Sequence, residues 1–275
     1  MDQMKLIGAS AHETLHITIR FHRHLRPLLC PAHRQDGLVD LKVKPWASIK
    51  DVVESLQVPH PEVGQLLVYG RPVGFSYQAH EEDLIEVLPL VPPVDPCTPS
   101  LLRPEVLTGI RFIVDANVAR LGALLRMAGL DTAYLPNLND TNIAAMAERE
   151  GRILLSRDRG LLKRKIVTHG HLVRSQQPEV QLAEIVHLYG LKDLLQPFSR
   201  CMQCNGLLAL VEKSTILDRL EPLTRKYYKT FYLCPSCDKI YWSGSHKEGM
   251  NRILATLKNT MKNAETRHAL KEHKS

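Results

Sequence analysis

Apolar and polar residues alternate over residues 13–21, where Leu15, Ile17 and Ile19 fall between His16, Thr18 and Arg20. A period of two sends alternate side chains to opposite faces, so this stretch predicts a half-buried β-strand. Residues 38–43 predict a second strand. Ser48 stands where a helix N-cap would, ahead of a helical stripe of Ile49, Val52, Val53 and Leu56 that ends before Pro59. Short strands are expected at residues 66–69 and 84–88, with Gly70-Arg71-Pro72 as the turn between Tyr69 and Val73. Two strands, a helix and further short strands within about ninety residues suggest a β-grasp fold over residues 1–90.

Pro89, Pro92, Pro93, Pro96, Pro99 and Pro104 then fall within sixteen residues. Proline lacks the N–H that helices and central strands need, so residues 91–109 read as an extended linker. Beyond it, strands alternate with helices. Residues 111–115 form a short apolar run ending in an acid, and residues 117–129 carry Val118, Leu121, Leu124, Leu125 and Ala128 at helical spacing, closed by a glycine. Further strands are expected at 132–135, 152–156 and 171–174, and helices at 142–150 and 179–188. Strands separated by helices of this length predict an α/β domain over residues 110–197, with a parallel sheet and right-handed crossovers.

Ligands of open parallel sheets collect beyond the carboxyl ends of the strands. Asp115 and Asp158 lie just past two such ends, and Asp140 at the start of the intervening helix. Three carboxylates at one rim would repel one another unless a hard cation neutralised them, and oxygen ligands suit Mg²⁺ or Mn²⁺. Taken singly, Asp140 reads as a helix cap and Asp158 as a turn residue; in this order and spacing the three read jointly as a cation site. Arg120 and Arg126 on the first helix, and Arg157, Arg159, Lys163, Arg164 and Lys165 after the third strand, would place positive charge beside them. Such a cluster suits a phosphate backbone, although each member alone also reads as a solvated surface charge.

Cys201-Met-Gln-Cys204 and Cys234-Pro-Ser-Cys237, with 29 residues between them, offer the four soft ligands that tetrahedral Zn²⁺ favours. Two redox pairs would show the same spacing, but neither adjoins a strand–helix unit of thioredoxin type. With four thiolates the ion would be a structural crosslink without an open position. Strand-like segments at 206–211, 228–233 and 240–242 suit a zinc ribbon, assigned to residues 198–250. Tyr241 and Trp242 read either as base-stacking residues or as ribbon packing. His246 reads as a phosphate contact, a proton-transfer group or an ordinary surface histidine. Residues 251–275 predict a basic C-terminal helix, with Ile253, Leu254 and Leu257 on one face and Arg252, Lys258, Lys262 and Arg267 elsewhere. That helix faces either RNA or solvent.

Lys and Arg number 36 against 29 Asp and Glu, a formal charge of +7 that favours a polyanionic partner without separating RNA from DNA. No apolar run reaches transmembrane length and the first ten residues lack a signal-peptide core, so a cytoplasmic protein with no membrane partner is expected. In that reducing compartment the paired cysteines argue for metal rather than disulfides, while Cys30 and Cys97 stand alone.

Residues 49–88, with Val58-Pro59-His60-Pro61-Glu62-Val63 and Gly70-Arg71-Pro72-Val73, resemble the ubiquitin-like domain that accompanies the Mut-seven C-terminal RNase domain family, a domain itself similar to small sulfur carriers. Carriers act through a free C-terminal Gly-Gly; here Leu88-Pro89-Leu90-Val91 runs on, so the resemblance implies docking or packing instead. FIVDANVARLGALLRMAGLDTAYL, NDTNIAAMAEREGRILLSRDRGLLKR, HLVRS and QLAEIVHLYGL resemble the RNase domain of that family, as do Arg200, Cys201, Cys204-Asn205, Cys234, Cys237 and residues 240–246. The resemblance implies a PIN-like domain with ribonuclease activity resting on Asp115, Asp140 and Asp158. Many PIN nucleases carry a fourth acid near the third, where Ser156-Arg157-Asp158-Arg159-Gly160 offers arginines. The expectation is a Mg/Mn-dependent ribonuclease with structural zinc, acting on RNA such as tRNA, rRNA or the ribosome. Its RNA contacts would come from Arg120, Arg126, Arg157, Arg159, Lys163, Arg164 and His246. The rivals are a non-catalytic RNA- or ribosome-binding protein using the basic surface and zinc ribbon, and an adaptor docking a protein partner through its ubiquitin-like domain.

Overall fold

The computed structural model describes residues 14–242, so His246 and the expected C-terminal helix lie outside the described residues. The chain forms two compact units, the first running to Leu90 and including Pro99–Glu105, the second comprising Val91–Thr98 and the chain from Val106 onward.

In the first unit, β1 (Leu15–Phe21), β2 (Leu38–Val43), α1 (Ile49–Ser55), β3 (Val63–Val68), β4 (Arg71–Val73) and β5 (Leu84–Pro89) follow in order. They build a five-stranded mixed sheet, β2-β1-β5-β3-β4, with β1 and β5 parallel and the other neighbours antiparallel. The alternation in β1 acts as its period demands: Ile17, Ile19 and Phe21 are fully buried, while His16 and Arg20 are exposed. Ser48 Oγ accepts the Asp51 N–H, capping α1, and Ile49, Val52 and Val53 are buried on that helix.

The reading of Gly70-Arg71-Pro72 as a turn needs correction. Tyr69 and Gly70, both at positive φ, make the turn, and Arg71–Val73 is strand β4 with Pro72 opposite Leu67. Proline is tolerated there because β4 is an edge strand, where a missing N–H leaves no ladder bond broken. Part of the proline-rich stretch is pinned to this unit: Arg103 donates to the carbonyls of Val63 and Pro61 at 3.0 and 2.8 Å.

The second unit contains β6 (Phe112–Val114), α2 (Ala119–Met127), β7 (Thr132–Ala133), α3 (Asp140–Arg149), β8 (Ile153–Ser156), α4 (Arg159–Leu162), β9 (Gly170–Leu172) and α5 (Pro178–Leu188). Its sheet is parallel, in the order β7-β6-β8-β9. Every residue of β6 and β8 is buried, as continuous apolar runs in a sheet covered on both faces require. Gly122 lets α2 seat against β6, since a Cβ there would stand 2.7 Å from Val114 Cγ2. From β6 the chain passes to β7 on one side, then crosses back to β8 on the other. The switch point of the topology therefore lies between the carboxyl ends of β6 and β8.

The remainder holds β10 (Ala209–Val211), α6 (Pro222–Tyr227), β11 (Phe231–Leu233) and β12 (Ile240–Trp242), an antiparallel sheet in the order β10-β11-β12. A 3₁₀ helix at Lys213–Arg219 and α6 separate its first two strands, and Ile216 and Leu220 bury against Phe231 to give this insertion its own core.

Candidate functional site

Asp115 immediately follows β6 and Ser156 ends β8. Because Val114 pairs with Leu155, the register sets these two residues side by side at the switch point. Ser156 is fully buried; its Oγ donates to Asp115 Oδ2 at 2.5 Å and accepts the Asp158 N–H at 2.8 Å. Asn117 makes the second stitch. Its N–H and Nδ2 donate to Asp115 Oδ1 and Oδ2 at 2.6 and 2.8 Å, and its Oδ1 accepts the Arg157 N–H at 3.1 Å. The loops following β6 and β8 are thus one hydrogen-bonded assembly around the Asp115 carboxylate, which is 7% exposed.

Asp158 is exposed and caps α4, its Oδ1 accepting from the N–H groups of Gly160 and Leu161 at 2.6 and 3.3 Å. Asp140 is the first residue of α3, while Asn139 is the N-cap. Its Oδ2 stands 4.0 Å from Arg164 Nη2, and Arg164 Nη1 donates to Thr141 Oγ1 at 3.1 Å, so α3 is braced to the turn after α4. Among the described residues the four cysteines are the group of three or more such side chains gathered closely enough to hold one ion; the three aspartates are not. What the structure brings together is Asp115 with the Asp158 loop. Sequence reading passed over Asn117 and Ser156, because an amide and a hydroxyl do not titrate. Their places, two residues after one acid and two before the other, were the available signal.

The basic residues divide. Arg120 and Arg157 are exposed, and Arg159, Lys163 and Arg164 are half-buried. Arg126 is a correction to the expected RNA contacts. It is 4% exposed, and its guanidinium donates to the carbonyls of Thr132, Met202 and Gln203 at 2.7, 3.1 and 2.7 Å. A cation enclosed by backbone carbonyls on two sides holds α2 and β7 to the first cysteine turn; it cannot reach a ligand.

The Sγ atoms of Cys201, Cys204, Cys234 and Cys237 lie within 4.8 Å of one another, with 3.5 Å between Cys201 and Cys237 and 3.4 Å between Cys204 and Cys234. Four thiolates at Zn–S distances of roughly 2.3 Å would stand about 3.8 Å apart in a tetrahedron, so the set fits zinc. Burial works against ionising Cys201, but hydrogen bonds led by that from Tyr241 Oη at 3.0 Å outweigh it and hold the thiol down to about 6. Tyr241 is buried, which makes it a ribbon-packing residue, and Trp242 lies against Tyr228.

Asp131 joins this module to the sheet. Its carboxylate takes Arg152 Nη1 at 2.6 Å, Asn205 Nδ2 at 2.9 Å and Arg200 Nη2 at 3.4 Å, while Asn205 Oδ1 accepts the Thr132 N–H. Asp131 precedes β7, so the cysteine module is fastened at the amino ends of the strands, away from the Asp115 rim.

A family model described as the Mut7-C RNAse domain matches residues 110–254. The chain belongs to the Mut7-C RNAse domain family. The matched stretch takes in the parallel sheet and all four cysteines of the metal-ready cluster. A second model, Mut7-C ubiquitin, matches residues 14–95, which cover the whole mixed sheet. Membership in the Mut7-C RNAse domain family points to a nuclease-like role and to contact with RNA, and the ubiquitin-like unit points to contact with protein. No curated protein and no solved structure matches the chain. Among the described residues of this Mut7-C chain, no helix is long and apolar enough to cross a membrane.

Proposed function

We propose that the chain is a metal-dependent ribonuclease acting at the rim between the ends of β6 and β8. The observation that carries this reading is Asp115: a buried carboxylate at the switch point whose hydrogen-bond donors are neutral and which has no ion-pair partner among the described residues. A buried charge without a counter-charge is costly, and a cation is the natural remedy. Mg²⁺ ordinarily keeps several waters and takes one or two carboxylates together with substrate phosphates. Asp115 with the neighbouring exposed Asp158 fits that mode of binding, which needs no closed cage of three acids. An ion held there would supply an activated water and offset the charge that builds on the phosphoryl oxygens.

The protein's own part is orientation. Ser156 and Asn117 fix the Asp115 carboxylate, and the exposed Arg120 on the first turn of α2 and Arg157 on the loop after β8 engage the RNA backbone. Asp140 and Arg164 set the position of α3 beside this rim. Zinc in the cysteine module would hold the opposite end of the domain together.

The test is to incubate the full chain with total RNA, with Mn²⁺ or with a chelator, and to map new ends. Asp115→Asn should abolish Mn²⁺-dependent ends while RNA affinity persists or rises. Cleavage that survives this substitution, or that ignores chelation, overturns the proposal. One observation favours the rival, non-catalytic RNA binding: Asp158 Oδ1 is committed to capping α4. RNA bound equally by wild type and Asp115→Asn, with no new ends from either, would establish that rival.

A further inference from the structure

The solvent face of the first unit's sheet is basic at one end. Arg20 points outward near the end of β1, and the chain then turns through His22, Arg23 and Arg26. With Phe21, Glu86 and Leu88 these four line an open cleft of about 300 Å³. The cleft carries one carboxylate, Glu86, the register neighbour of Arg20 on β5. No ion pair forms between them, and neither Arg20 nor Arg23 has a hydrogen-bond or ion-pair partner among the described residues.

Arg26 is built into the wall. Its Nε and Nη1 donate to the carbonyls of Phe21 and Gln35 at 3.2 and 2.9 Å. Gly37, at φ +67°, makes room for it, since a Cβ there would stand 2.5 Å from Arg26 Nε. His22 Nδ1 accepts the His24 N–H at 3.4 Å, which leaves Nε2 as the donor edge of the ring. Burial first, then the charges of Arg23 and Arg26, hold that imidazole below its usual range. Three guanidinium groups against the one carboxylate of Glu86 leave the cleft with an excess of positive charge.

We propose that this cleft binds a backbone phosphate of RNA, giving the ubiquitin-like unit its own contact with the nucleic acid. Guanidinium forks match phosphate oxygens, and a polyanion is the partner that an uncancelled set of cations recruits. The choice of RNA rests on the ribonuclease reading of the second unit; the choice of an anion rests on the cleft itself.

The test measures binding of a labelled single-stranded oligouridylate to the full chain carrying Asp115→Asn, so that cleavage does not intervene. Arg20→Ala/Arg23→Ala removes two exposed, unpartnered side chains, and circular dichroism and Tm check that the fold is retained. Affinity should fall about tenfold, and the slope of log affinity against log salt should shrink by about 0.7, the amount for one lost phosphate contact on a single strand. Glu86→Gln should tighten binding. In NMR spectra the His22 ring signals should move on adding the oligonucleotide. If the Asp115→Asn chain binds RNA and the double variant binds it with equal affinity and slope, this proposal alone falls. If oligoaspartate moves the His22 signals and oligouridylate does not, the cleft serves an acidic protein and the proposal falls. If no form of the chain binds RNA, the ribonuclease reading falls with it.

Discussion

Ser156 Oγ donates to Asp115 Oδ2 at 2.5 Å across the paired ends of β8 and β6, and the same hydroxyl accepts the Asp158 N–H. One buried group thus orients one acid and anchors the loop that bears the other. The strands fix the backbones, but among the described residues it is this hydroxyl that ties the carboxylate to a single direction from the β8 side.

Ser156→Ala should therefore cost about 1–2 kcal/mol, the loss expected when buried polar groups lose a shared partner. Cleavage should slow about tenfold while RNA affinity holds, and Ser156→Thr, which keeps the hydroxyl, should recover most of the rate. Urea unfolding and single-turnover kinetics measure the two effects. Wild-type cleavage by Ser156→Ala would remove the positioning role.

Arg126 and Arg120 should behave as opposites although they share α2. Arg126→Ala strips a donor from three carbonyls in a buried setting, and about 2–4 kcal/mol of stability should go with it, while the folded fraction binds RNA as before. Arg120→Ala touches an exposed side chain; stability should stay within about 0.5 kcal/mol and RNA affinity should drop. Thermal unfolding paired with a binding isotherm on each variant decides the matter.

That contrast shows what the sequence could and could not convey. Periodicity marked the strands and helices because burial alone sets it: Ile17, Ile19 and Phe21 face inward for the reason their spacing suggests. The acids at the ends of β6 and β8 were legible because a parallel sheet sends its strand ends to one rim. Arg120 and Arg126 look alike in a list of residues, and only the placement of the cysteine turn, far along the chain, encloses one of them. Asp131 escaped notice for the same reason, since Arg152, Arg200 and Asn205 reach it only after the sheet and the cysteine module have met. Pro72 misled in the other direction, because whether a strand is an edge is decided by its neighbours.

Removing the zinc that the four cysteines would hold should loosen more than the ribbon. The first cysteine turn supplies the carbonyls of Met202 and Gln203 to Arg126, and Asn205 bonds both Asp131 and Thr132. Cys234→Ser should abolish stoichiometric zinc, measured by elemental analysis, and lower Tm by about 5–10 °C, with protection of the β7 amides from hydrogen exchange falling as well. Retention of one zinc per chain, or undisturbed β7 protection, would show that the module and the sheet are independent.

Acid should act through Asp131. Burial alone would raise its pKa, but the hydrogen bonds from Arg152 and Asn205 and the charges of Arg152 and Arg200 prevail and hold it below the usual carboxylate value. A group with a depressed folded pKa stabilises the protein above its unfolded pKa, near 3.9, and that contribution is lost as pH falls through the folded value. The stabilisation should be constant from pH 7 to about 4.5 and fade below about 4. Glu150 is also held below its ordinary value, chiefly by its own hydrogen bond from Arg152, so acid weakens both groups and the wild-type curve mixes their contributions. The gap between wild type and Asp131→Asn separates them. It should be about 2 kcal/mol at neutral pH, a partly buried charged hub losing its anion, and should close as pH drops below 4 through the folded value. Urea unfolding at each pH gives both curves; a gap that does not narrow at all as pH falls below 4 would mean that the stability comes from the shape of the Asp131 side chain and not from its charge.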